Sequence, residues 1–207
     1  MKPILIFDFD GTIADSKGLA VQLFNELAVK FEGRRIEEAE IGRLSGLSVP
    51  DRLRALHVPL FKLPALLLEA KRNYKQAAVS LQPADGMKEL LLALKEEGRT
   101  MGILSSNTAE NIRHFLDLNG LDVFDFVHSA TNLFGKDKAI RSMLRAHSLP
   151  ADRIVYVGDE LRDVEACRRA GVKAVAVTWG FDSEELLAGA GPDYVCRTAE
   201  QLAAVLR

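Results

Sequence analysis

Cysteine is nearly absent from this chain of 207 residues, which carries only Cys167 and Cys196, at no spacing that suits a metal or a disulfide framework. That scarcity excludes a disulfide-stapled scaffold, and both thiols are expected as small buried hydrophobes. Long apolar runs are missing as well. No stretch approaches the roughly 20 residues a membrane span needs, and the opening Met1–Asp8 is too short an apolar run for a signal peptide. Nor is there an excess of positive charge, since 27 Lys and Arg face 29 Asp and Glu for a formal net charge of −2. Nucleic acid and anionic membrane surfaces would therefore meet no broad basic footprint, and no basic patch is interleaved with aromatics. No internal repeat or low-complexity segment breaks the chain. What remains is 48% hydrophobic and 27% charged residues, the composition of an ordinary globular protein. A chain this long buries roughly 70% of its unfolded surface and needs no staples. A reducing, cytoplasmic setting is expected.

Short apolar runs rich in β-branched or aromatic residues occur at Ile4–Phe9, Met101–Leu104, Phe126–His128, Arg153–Val157, Ala174–Thr178 and Tyr194–Cys196. Helical periodicity marks Met87–Glu97, Ala109–Leu118, Asp137–Ala146, Val164–Ala170 and Ala199–Leu206 between or after them. Strands alternating with helices predict an α/β fold with a parallel, Rossmann-like sheet covered on both faces. One region breaks the alternation. From Lys17 to Gln82 only helical patterns occur, with one apolar stripe at Leu19, Leu23, Phe24, Leu27 and Phe31 and another at Leu63, Leu66, Leu67, Ala70 and Tyr74. Gly33, Gly42, Gly46, Pro50, Pro59 and Pro64 divide it into about four helices. The expected organisation is an α/β core of residues 1–16 and 83–207, with a helical cap of residues 17–82 inserted after the first strand.

Ligands of a parallel α/β sheet sit outside the carboxyl ends of its strands. The first predicted strand ends in Asp8-Phe9-Asp10-Gly11-Thr12, the second in Ser105-Ser106-Asn107, and Val157 is followed by Gly158-Asp159-Glu160-Leu161-Arg162-Asp163. Residues two apart on a strand point the same way, which aims Asp8 and Asp10 at one small volume. Two like charges about 4 Å apart repel by roughly 4 kcal/mol at an effective dielectric of about 20. Asp8, Asp10 and Asp159 together therefore call for a hard cation, and Mg²⁺ binds through a few carboxylates while keeping waters and substrate oxygens. A carboxylate not fully engaged by the metal can act as a nucleophile. The natural electrophile beside the ion is a phosphoryl group. Ser105, with nearby backbone N–H groups, suits a phosphate oxygen, and Lys136 or Lys138 can supply a fixed positive charge.

These residues resemble the haloacid dehalogenase superfamily, over a core of about residues 1–16 and 84–205. The intervening helices resemble its C1-type cap in placement and character. The resemblance implies Asp8 as the nucleophile that becomes a phospho-aspartate, and Asp10 as general acid/base whose backbone carbonyl also binds Mg²⁺. It implies Ser105 as the hydroxyl of the second motif, with Ser106 beside it on the phosphate. Lys136, in Phe134-Gly135-Lys136, is implied as the third motif's lysine, with Lys138 as competitor. Asp159 would bind the metal directly, while Asp163 would support it from behind or hold the lysine. The implied activity is a Mg²⁺-dependent phosphatase of a small phosphorylated metabolite, similar to phosphoglycolate phosphatases. Some of those carry a proline after the lysine, where this chain has Asp137.

A phosphomutase needs the same core. A binding protein that kept the fold without turnover is the reading from another class, against which every needed carboxylate is present. Dehalogenation has no use for an acid at Asp10. A homodimer is the assembly left open. The four histidines, His57, His114, His128 and His147, are scattered without partner spacing and are expected in packing or at the surface. Arg162 is expected to pair with a nearby acid, and Trp179 to anchor a loop. The segment Leu44–Ser48 is a candidate for the cap loop that meets substrate, while Arg52 and Arg54 are expected on a solvated helix face.

Overall fold

The computed structural model describes residues 2–77, 80–130 and 135–207. Six strands form a single parallel sheet: β1 (Ile4–Phe7), β2 (Met101–Ser105), β3 (Phe126–Ser129), β4 (Ile154–Gly158), β5 (Lys173–Val177) and β6 (Tyr194–Cys196). Their spatial order is β3-β2-β1-β4-β5-β6, with Phe7 in register with Ile103 on one side and Val157 on the other. The strand order reverses at β1, which is where such sheets open a crevice for ligands.

The period of two along β1 sorts its side chains into two apolar layers. Leu5 and Phe7 join one cluster with Met87, Phe115 and Leu202, and Ile4 and Ile6 join the other with Ile140, Tyr156 and Val164. The helices that supply those layers are α5 (Met87–Glu96), α6 (Ala109–Asn119), α7 (Lys136–Ala146), α8 (Leu161–Ala170), α9 (Glu184–Gly189) and α10 (Ala199–Leu206). Cys167 and Cys196 are both buried free thiols inside these layers.

Between β1 and α5 lie four α-helices among the described residues: α1 (Lys17–Leu27), α2 (Ile41–Ser45), α3 (Val49–Ala55) and α4 (Leu63–Ala77). They gather a third apolar cluster of their own around Leu27, Phe31, Leu44, Leu53, Leu56 and Leu66. Pro50 and Pro64 fall in the first turns of α3 and α4, where a missing N–H leaves no hydrogen bond unmade. Among the described residues no helix is long and apolar enough to cross a membrane.

Two strand and helix boundaries in the core differ from expectation by more than one residue, for local reasons. β1 stops at Phe7, not Phe9, because the Phe9 carbonyl accepts the N–H groups of Thr12, Ile13 and Ala14 in a tight loop. Gly11 takes φ 79° in that loop, a conformation that suits glycine. α8 begins at Leu161, not Val164, because the Asp163 side chain accepts the Glu160 N–H at 3.2 Å and closes a polar first turn that carries no apolar period.

Candidate active site

At the carboxyl end of β1, the Asp8 N–H donates to the Val157 carbonyl at 2.8 Å, carrying the pairing one residue past the strand. This seats the Asp8 carboxylate over the sheet's centre. One oxygen accepts the Phe9 N–H at 2.8 Å, and the other accepts Lys136 Nζ at 2.7 Å. Lys136 opens α7, and its Nζ also lies 2.5 Å from Asp163 Oδ1. All three side chains are buried. Burial alone would lower the Lys136 ammonium, but Asp163 and Asp8 outweigh it and hold the pKa above the usual lysine range. The acids fare less well. Burial pushes Asp8 up despite Lys136 and Arg162, and it pushes Asp163 up to about 6 against the same lysine. The cost of burying these carboxylates exceeds what the cations offset.

Glu160 adds to it. Asp8, Glu160 and Asp163 each place an oxygen within 4.8 Å of the others. Burial favours the neutral form of Glu160, but Arg162 beside it reverses that and lowers its pKa; the guanidinium Nε donates to Glu160 Oε2 at 2.7 Å. Arg162 thus pairs with a neighbouring acid, as expected.

Asp159 is fully buried, its two oxygens accepting the Thr12 hydroxyl at 2.7 Å and the Phe181 N–H at 2.8 Å. Burial first, then Glu160 and Asp8, raise its pKa well above the carboxylate range. Two glycines make room for it, since a Cβ at Gly11 or Gly180 would stand 2.3 or 2.1 Å from Asp159 Oδ2.

Asp10 faces the helical insertion. Its carboxylate accepts the Tyr74 hydroxyl at 2.9 Å and Asn107 Nδ2 at 3.0 Å. Burial still raises its pKa, even though both donors favour the ionised form. Asn107 is itself fixed: its side-chain oxygen accepts Asn111 Nδ2 at 2.9 Å, and its N–H donates to Ser105 Oγ at 3.0 Å. Ser105 ends β2 and is buried, while Ser106 lines the cavity beside Asp10 and Asn107.

The sequence-predicted residues therefore divide. Asp8, Lys136 and Asp163 converge, and Lys138, two residues on, is exposed. Phe134 of the third motif lies outside the described residues. Asp8 and Asp10 do not project from one strand face, because β1 has already ended and their carboxylates take different partners. Of the three expected metal ligands, Asp10 was expected to bind through its backbone carbonyl, and its carboxylate takes other partners; the Asp159 carboxylate accepts two protein donors, and the acids grouped with Asp8 are Glu160 and Asp163.

One further expectation needs correction. Arg52 is not on a solvated face: its side chain is 19% exposed and its guanidinium lies 2.5 Å from Asp182 on the sheet side. Arg54, by contrast, is exposed beside Asp51. His128 and His147, far apart in sequence, do meet in packing as expected, since β3 and the end of α7 bring their rings to 5.9 Å with His147 stacked on Phe126. Trp179 does anchor a loop, donating to the Thr12 carbonyl at 3.1 Å. Residues the sequence reading missed are Tyr74, Asn107, Glu160 and Asp182. Asn107 and Glu160 had a usable signal, each as a polar residue two positions past a strand end.

A cavity of about 310 Å³ runs from Asp10, Ser106 and Asn107 into the interior of α1–α4. Leu44 and Ser45 of the candidate cap loop line it, and the Ser45 carbonyl accepts the Ser183 N–H at 2.9 Å, joining that loop to the sheet side.

The chain is similar to known proteins. The family model for haloacid dehalogenase-like hydrolases matches residues 5–177. Over 199 residues the chain is 35% identical to the phosphoglycolate phosphatase of Synechococcus elongatus, covering 96% of this chain and 94% of that one. It is 26% identical over 208 residues to the pyrophosphatase PpaX of Listeria innocua, covering 98% and 95%. A haloacid dehalogenase-like family hydrolase from Streptococcus pneumoniae superposes with a TM-score of 0.80 over 100% of this chain and 99% of that one; at 20% identity this likeness concerns the fold alone. From its matched residues and its relatives, the chain belongs to the haloacid dehalogenase-like hydrolase family.

Proposed function

We propose that the protein is a Mg²⁺-dependent phosphatase that hydrolyses a small phosphorylated metabolite through an aspartyl-phosphate. The observation that carries this reading is the buried Asp8–Lys136–Asp163 cluster, with Asp10 two residues from Asp8 and facing the cavity. The donor set fits the metal. It is all oxygen, buried, and pushed by its surroundings toward protonation, which is the environment a hard divalent cation relieves. Asp8, Asp159 and the Asp10 carbonyl would hold the ion, with Asp163 behind them. When bound, Mg²⁺ neutralises charge on the phosphoryl oxygens.

The chain's own groups divide the remaining work. Lys136 keeps Asp8 ionised and aimed. Asp8 attacks phosphorus, the bond to the leaving oxygen breaks, and Asp10 gives that oxygen its proton. Asp10 then takes a proton from water, which attacks phosphorus and returns Asp8 as the free carboxylate. Ser105, Ser106 and Lys136 would bind the other phosphate oxygens. The helices α1–α4, acting as the cap, exclude bulk water during the first step. The relatives' names differ in substrate, so phosphoglycolate and pyrophosphate are the first compounds to assay.

The test is inorganic phosphate released from a panel of phosphate monoesters. Isomerisation of a sugar phosphate without release would make the protein a mutase, and binding without either reaction would make it a phospho-ligand receptor. EDTA is expected to silence release and Mg²⁺ to restore it; undiminished activity after thorough chelation removes the metal from the scheme. Tyr74→Phe is expected to slow turnover by about tenfold, the loss of one hydrogen bond to a charged group. Because the Tyr74 hydroxyl favours ionised Asp10, its removal should also move the acidic limb of the kcat profile to higher pH. An unmoved profile would separate Tyr74 from the proton-transfer step.

A further inference from the structure

The cavity behind Asp10 is larger than a phosphate with a two-carbon group needs, and its far wall has the wrong chemistry for one. About 310 Å³ is twice the volume of an apolar cavity that admits benzene. Leu23, Leu53, Leu56, Leu63 and Leu66 line it, and each is otherwise buried. The chamber is open on one side, and a concave, mostly apolar lining with a few polar groups at one place is the usual character of a ligand site. Asp10, Lys17, Arg52, Lys71, Glu160 and Arg162 also line the cavity, and several are already engaged. Arg52 is held by Asp182 and by the Leu44 and Leu47 carbonyls, and Lys17 by the Gly180 carbonyl at 2.9 Å. Tyr74 stands at the junction, its hydroxyl on Asp10 and its helix forming the apolar wall.

We infer that the preferred substrate is a phosphate monoester whose leaving group carries an alkyl chain or a single aromatic ring, seated among α1, α3 and α4. The inference rests on the phosphatase reading and names its substrate class. The phosphoryl group occupies the carboxylate cluster, and the apolar tail extends past Asp10 and Tyr74 into the leucine-lined chamber.

The experiment measures kcat/KM with Mg²⁺ for methyl, ethyl, propyl, butyl and hexyl phosphate, and for phosphoglycolate and pyrophosphate. These alcohols are leaving groups of nearly equal acidity, so differences among them report the tail's surroundings. The expected gain is about fourfold per buried methylene, hence tens-fold between methyl and butyl phosphate. Ala70→Phe, which narrows the chamber one helical turn from Tyr74, is expected to bring the butyl-to-methyl ratio down toward one. Leu53→Ala, which widens it, is expected to move the optimum to longer chains. A ratio taken within one preparation does not depend on how much of a variant folds. Rates that are flat or fall with chain length, with phosphoglycolate preferred, overturn the inference and leave the phosphatase reading standing. An unchanged ratio in Ala70→Phe overturns it as well. No phosphate from any ester overturns the phosphatase reading itself.

Discussion

Asp8→Asn is expected to reduce phosphate release by at least about 10⁴-fold, the scale seen when a covalent nucleophile is removed. The same variant should melt no lower than the wild type in EDTA. The sign follows from the site's electrostatics. Burial raises the folded-state pKa of Asp8 above its unfolded value. The stability associated with that shift is present below the ordinary carboxylate range and is lost as pH rises through the folded value. At neutral pH the ionised group therefore burdens the metal-free fold, and asparagine keeps the shape without the charge. Mg²⁺ should raise the melting temperature of the wild type and do so less in the variant. Thermal melts with and without EDTA check both points. A variant that melts several degrees lower in EDTA would recast Asp8 as a structural ion-pair partner.

Lys136→Met should fail in the opposite way, losing turnover and stability together. Its Nζ stands between Asp8 and Asp163, and its removal leaves both acids buried near Glu160. Breaking a buried pair by deleting one partner costs about 3–5 kcal/mol, which in a chain of this size lowers the melting temperature by roughly 10 °C. The deficit should shrink as pH falls from 8 toward 5, because Asp163 already titrates at about 6 with the lysine present and will take its proton earlier without it. The double variant Asp8→Asn/Lys136→Met should recover part of the lost stability, as contacting charges do in a thermodynamic cycle. Strictly additive effects in that cycle would show that the two side chains do not act on each other.

The sheet was legible because β1, β2, β4 and β5 are buried over nearly their whole length and so write continuous apolar runs into the sequence. The chemistry at their ends was legible because the loops that follow are short and carry acids and hydroxyls at fixed offsets. What the sequence could not disclose is which donor each acid meets. Asp10 meets Tyr74 and Asn107, which are 64 and 97 positions away, and Arg52 meets Asp182 across 130. Tyr74 lies in an apolar helical stripe and reads there as packing, which it also provides. Arg52 and Arg54 look alike in sequence; the helix turns one toward the sheet and the other to solvent. The choice between Lys136 and Lys138 was of the same kind, since burial distinguishes them and spacing does not.

The position of β1 also has a consequence for biosynthesis. Its strand Ile-Leu-Ile-Phe is wholly apolar and central in the sheet, yet its two neighbours are β2, which begins at Met101, and β4, which begins at Ile154. A ribosome adding 5–20 residues per second takes roughly 7–30 s to make the chain between β1 and β4. Throughout that interval one edge of the strand lacks its partner, and the loop bearing Asp8 and Asp10 lacks Asp159 and Asp163. The nascent protein therefore passes through a period in which its stickiest segment is exposed and its chemistry is not yet assembled.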